Sequence, residues 1–157
     1  MWPSDWPSSA RAIATAIEAA VTAAKAADES GFRATTADLS ELPAEQVTSV
    51  LAAIVRELLE TAHPDGLTGD DVRAVLESVV RRSVPWLSGL DATAVISALT
   101  GALGVDESAE PDRAWTNPQP AAVLLIDYLA DLARTSPQQS IQRAINEIAR
   151  AETVEMP

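Results

Sequence analysis

A few clusters in this chain hold residues whose types and spacing bear on chemistry. Glu57, Glu60 and His63 read Glu-x-x-Glu-x-x-His. Spacing of three sets neighbours on one helix face, and Glu-x-x-His is half of the ligand set of a di-iron carboxylate bundle. The other half needs a second histidine, and the chain has one. The cluster is therefore expected to be a solvated acidic face ending in a histidine that favours a helix C-terminus. Asp127 and Asp131, four apart, would aim two carboxylates at a common Mg²⁺. No aspartate-rich partner motif accompanies them, so they are read as the exposed edge of an otherwise apolar helix. The run from His63 to Asp71 resembles a calcium loop only superficially. With Gly66 at the sixth loop position, Thr61 stands first and Val72 twelfth, where acidic oxygens belong. A turn followed by a capped helix accounts for it.

Other chemistries lack their parts. The chain has no cysteine, no Gly-x-Ser-x-Gly turn, no Gly-x-Gly-x-x-Gly and no phosphate loop. A serine triad would have to recruit His63 from a helix end. No metal and no cofactor is expected.

The tryptophans are placed unusually. Trp2-Pro3-Ser4-Asp5 and Trp6-Pro7-Ser8-Ser9 are tandem tetrapeptides, Trp86 follows Pro85, and Trp115 lies in an acidic stretch. All four fall outside the predicted helices. Tryptophan is enriched among residues that dominate interface energy. Trp2, Trp6, Trp86 and Trp115 are therefore the candidate partner-binding residues. The preferred reading, though, is that they plug the ends of their own bundle, because a helical core poor in phenylalanine needs large groups somewhere, with Trp6 more buried than Trp2 because it lies closer to the first helix.

Charge narrows the partners. The chain carries 23 acids against 11 bases, a formal net charge of -12 over 157 residues. A phosphate-tracking surface needs the opposite sign. DNA binding through Arg73, Arg81 and Arg82 would work against it. Met1-Trp2-Pro3-Ser4-Asp5 lacks the basic and apolar regions of a signal peptide. The charge-free stretch 92–105 is shorter than the ~20 residues of a spanning helix. The expected setting is the cytoplasm, away from nucleic acid and membrane.

The elements that position these residues are helical. The length suits one domain. Residues 1–157 are expected to form a single all-α domain, with 1–8 a Trp-Pro arm and 104–119 a long acidic loop. Apolar periodicity predicts helices over 9–30, 43–62, 69–82, 92–103, 120–134 and 137–152. Gly31 is the expected stop of the first. Thr68 and Asp71 suggest a capping box on the third, and Asp91 caps the fourth. The 92–103 helix holds no charged residue, which marks a buried element.

Three windows align without gaps: Leu42/Val47/Leu51, Leu67/Val72/Leu76 and Leu90/Val95/Leu99. Leu before the cap and Val at the fourth helical position form a hydrophobic staple. Pro43 fits that scheme less well than Thr68 or Asp91. The expected fold is a compact bundle of about six helices. The alternative is a short HEAT-like solenoid of helix pairs, because Leu42, Leu90 and Ser136 open helices at near-regular intervals.

The functional expectation is a non-catalytic, acidic protein-interaction module: an adaptor, regulator, chaperone-like or inhibitor protein. The alternative is a binder of an apolar small molecule between alanine-rich helices. A carboxylate-based enzyme stands third. The apolar surface of the 92–103 and 120–134 helices also predicts a homodimer through them.

Overall fold

The computed structural model of the chain describes residues 2–104 and 117–155, leaving the side chains of 152–155 aside. Seven helices lie among the described residues: α1 (Ser8–Lys25), α2 (Glu29–Ser40), α3 (Ala44–Ala62), α4 (Gly69–Ser83), α5 (Ala92–Leu103), α6 (Gln119–Ala133) and α7 (Pro137–Glu155). No strand occurs among these residues, and no helix is long and apolar enough to cross a membrane.

The centre of the bundle is α6. It packs against α1, α2, α3, α4, α5 and α7, most extensively against α3. Its sequence explains this, because Val123, Leu124, Leu125, Ile126 and Leu129 cover nearly the whole circumference and are all buried. A helix apolar all round must sit inside. The terminal helices α1 and α7 also pack on each other. In a solenoid each repeat touches only its neighbours. The arrangement is therefore a bundle rather than a stack of helix pairs.

One expected boundary is corrected. The 9–30 helix ends at Lys25, and Glu29–Ser40 forms a separate helix, α2. Ala27 turns the chain with a φ of 55°, in the left-handed region. The Asp28 carboxylate then accepts from the Gly31 backbone N–H at 3.0 Å, capping α2. Gly31 thus opens a helix instead of closing one. Phe32, Thr36 and Leu39, at helical spacing, form the buried face of α2.

The capping expectations hold elsewhere. Thr68 Oγ1 accepts from the Asp71 N–H at 3.1 Å, and an Asp71 carboxylate oxygen accepts from the Thr68 N–H at 2.9 Å. Hydrogen bonding of the Asp71 carboxylate to Thr68, foremost from its backbone N–H, lowers the Asp71 pKa. Asp91 caps α5 by accepting from the Thr93 N–H at 2.9 Å. Pro43 stands at the cap position of α3 without a side-chain bond. Leu42 and Val47 therefore flank the start of α3 in the same register as Leu67/Val72 and Leu90/Val95 flank those of α4 and α5.

Most of the apolar surface of α5 and α6 is buried within the chain. Ile96 of α5 and Leu132 of α6 stay exposed, as does Val84 after α4.

Candidate functional site

The N-terminal arm builds one wall of the candidate site. Pro3 and Pro7 keep the arm out of a regular helix. A turn closes it, with the Trp6 N–H donating to the Pro3 carbonyl at 3.3 Å. Helix α1 then starts at Ser8, one residue before the expected Ser9. Trp2 stacks on Trp6 with ring centroids 5.7 Å apart and planes 13° from parallel. The Trp6 indole Nε1 donates to Asn146 Oδ1 of α7 at 3.0 Å. Trp6 is 7% exposed and joins the core, whereas Trp2 is half-buried. The arm is therefore docked on its own bundle.

Beside this wall runs a half-open groove of about 310 Å³ between α1, α3 and α7. Trp6, Ile13, Val50, Ile145 and Ile148 give it an apolar lining. Ser9, Glu45, Gln46 and Ser49 add polar groups. Asn146, Glu45, Gln46 and Ser49 are ordinary polar helix positions in the sequence, and Val50 reads there only as part of an apolar face. The faint signal is that Ile145 and Ile148 are three apart on one stripe of α7.

Removing the indoles tests the docking. The buried Trp6 side chain and the half-buried Trp2 side chain supply the apolar burial that holds the arm in place. The conformational entropy lost on ordering the arm opposes this burial, so only part of it appears as net stability. Trp2→Ala with Trp6→Ala is expected to destabilise the isolated protein by about 1–2 kcal/mol, within the ordinary range for substitutions that remove buried contacts. Urea unfolding measures it, and an unchanged midpoint would contradict docking.

The remaining tryptophans are elsewhere. Trp86 meets Phe32 of α2 edge-on, with centroids 5.4 Å apart and planes at 88°. Trp115 lies outside the described residues, as does most of the 104–119 loop. The Trp86 turn is held to α2 by polar bonds as well. The Glu29 carboxylate accepts from the Ser88 N–H at 2.9 Å and from Ser88 Oγ at 2.6 Å. Arg33 donates to the Ser88 carbonyl at 2.6 Å and pairs with Glu29 at 3.0 Å.

Bonds from Ser88 and Arg33 hold the Glu29 pKa at about 2, against an ordinary 4.5. The folded pKa lies below the unfolded one. The resulting stability is present above pH 4.5 and is lost as pH falls toward 2. The Tm gap between wild type and Glu29→Gln is expected to shrink across that window in thermal melts. A constant gap would contradict the assignment.

The carboxylate clusters have partners within the chain. Arg82 of α4 reaches Asp131 at 2.7 Å and Asp127 at 3.2 Å, and Lys25 of α1 lies 3.6 Å from Asp131. These cations occupy the face where a metal ion would have sat. Asp127 is not an exposed edge: it is 4% exposed, and its Oδ1 has no hydrogen-bond partner among the described residues. Burial raises its pKa, opposed by Arg82. The Arg82 hydrogen bond lowers that of Asp131. Glu57 pairs with Arg143 of α7 at 2.6 Å. His63 Nδ1 lies 2.9 Å from the Leu59 carbonyl, at the C-terminal end of α3. Among the described residues, no group of three or more His, Asp or Glu is placed to hold a metal ion. Comparison with known proteins finds no matching family model, no matching curated protein and no matching solved structure.

Proposed function

We propose that this chain is a non-catalytic, acidic protein-interaction module of the cytoplasm. It would act as an adaptor, regulator, chaperone-like or inhibitor protein by seating an apolar segment of a partner in the groove between α1, α3 and α7. The observation that carries this reading is Trp6. Its indole is fixed by stacking on Trp2 and by the bond to Asn146, and it still lines the groove. A pre-ordered aromatic wall loses little entropy when a partner arrives, which favours affinity. An apolar centre with polar groups around it follows the ordinary anatomy of a protein interface.

The partner segment is expected to be amphipathic. Its apolar side would meet Trp6, Val50 and Ile148, and its flanks would be basic. Glu45 lies beside the groove, and the net charge of -12 steers cations toward the molecule. The same charge disfavours nucleic acid and anionic lipid. Self-association is the other form of partnership. In it, Ile96 and Leu132 would supply the apolar contact of α5 and α6.

A photoreactive side chain at Ser49 tests the reading. It is expected to capture one protein species in the source cell, while the same group at Arg73 on α4 captures none. The purified partner should then bind one to one, and Ile148→Glu should abolish binding while leaving the circular dichroism unchanged. Equal capture from both positions, or indifference to Ile148→Glu, would remove the groove from the account.

A further inference from the structure

A second, smaller groove of about 100 Å³ lies along a different face of α3, in its seam with α5 and α6. Ala52 and Val55 of α3, Ser97 and Gly101 of α5, and Gln119 and Ala122 of α6 are among its lining residues. None of the lining residues is charged, in a chain of net charge -12.

Two observations set this groove apart. Gln119 is 7% exposed, and its Oε1 is buried without a hydrogen-bond partner among the described residues. The Gln119 backbone N–H is already engaged, donating to Asn117 Oδ1 at 3.0 Å. A buried acceptor left unpaired is unfavourable until a donor reaches it. Gly101 is the second. A Cβ at this position would meet nothing within 4 Å among the described residues. Glycine inside a helix is unfavourable relative to alanine. No close packing within the described chain accounts for it, whereas a ligand lying along α5 would use the space.

We propose that this groove binds a small neutral molecule: an apolar body no larger than a benzene ring and only partly enclosed, with one hydroxyl that donates to Gln119 Oε1. Phenols and compact alcohols are the chemical class. Size sets the upper bound: the groove is smaller than the apolar cavity of about 150 Å³ that encloses benzene, so a single ring would fill it and extend through its open side. The uncharged lining excludes ions, whose burial without a counter-charge is strongly unfavourable. The Gln119 oxygen selects a donor over a plain hydrocarbon. This site shares no residue with the Trp6 groove, so the two readings stand or fall separately.

Phenol and benzene are the probes, titrated separately into the isotope-labelled full chain and followed by NMR. Saturable shifts are expected at the Gln119 side-chain amide and the Gly101 backbone amide. Phenol should bind about five- to tenfold more tightly than benzene, the contribution of one neutral hydrogen bond. Gln119→Leu should remove that preference while benzene still binds. Gly101→Leu should fill the groove and abolish both, with the circular dichroism of the chain retained. Shifts that do not saturate would overturn the proposal. So would equal affinities for the two probes, or a phenol preference that survives Gln119→Leu.

Discussion

Replacing Arg82 with alanine is expected to destabilise the fold by about 3 kcal/mol at pH 7. Its guanidinium faces two carboxylates, of which Asp127 has a side chain only 5% exposed. Removing one partner of a buried pair leaves an uncompensated charge, and such losses run to about 3–5 kcal/mol. The lower end applies because Arg82 is itself 38% exposed and Asp127 can take up a proton. Lys25 lies against Asp131, and no lysine or arginine besides Arg82 pairs with Asp127 among the described residues.

The sign of the pH dependence follows from burial. The folded pKa of Asp127 is raised above its ordinary 3.8. Only between the ordinary and the raised pKa does the folded state hold a proton that the unfolded state has lost, and the burial penalty fades as pH falls through the raised value. Without Arg82 the pKa rises further. The deficit of Arg82→Ala relative to wild type should thus narrow on acidification. Urea unfolding at neutral and acidic pH measures this. Arg82→Met combined with Asp127→Leu should recover most of the lost stability, because a buried pair exchanged for apolar groups is near neutral. A deficit independent of pH would show that Arg82 acts by packing alone.

Leu99→Ala is expected to destabilise by about 2–5 kcal/mol, through lost burial and the cavity left behind. Leu99 is 2% exposed and shares the inner face of α5 with Val95, which is fully buried. That face packs on α3, α4 and α6. Ile96, on the outer face, is 38% exposed, and Ile96→Ala should stay within about 1 kcal/mol. The contrast between neighbouring positions is the sharper test. Equal losses from unfolding curves would mean that α5 is rotated from the orientation described.

How much of this was legible in the sequence depends on the range of the forces involved. Staples and caps act within one turn. Leu67, Thr68, Asp71 and Val72 accordingly announced the start of α4, and Asp91 that of α5. The apolar circumference of α6 was legible too, but it was read as surface left for a second copy, because nothing in the sequence says that six other helices surround it. The break at Ala26–Asp28 was missed because alanine-rich periodicity runs through it. Gly31 is equally suited to closing one helix or sitting in the first turn of the next. The discriminating signal was Asp28, a good cap followed by Phe32, Thr36 and Leu39 on one face. Asp127 was misjudged for a related reason. An acid on an apolar helix marks either the wet edge or a buried pair, and Arg82 lies on another helix.

The candidate site was half legible. Trp-Pro repeats signalled an arm that must dock, and Trp6 was expected to be more buried than Trp2. Asn146, which fixes the Trp6 indole, is 140 positions away and looks like any exposed polar residue of α7. The groove is a product of tertiary packing, since its walls come from three helices whose individual patterns are those of ordinary core helices. Gln119 is invisible for the same reason: its burial depends on where α3 and α5 lie.

Hydrogen exchange on the protein, with and without the partner captured through Ser49, tests the central claim most directly. Added protection is expected only in the arm and the start of α1, the first half of α3, and α7 around Ile145 to Ala149, with α4 unchanged. Protection centred on α4, or on the outer face of α5, would contradict it.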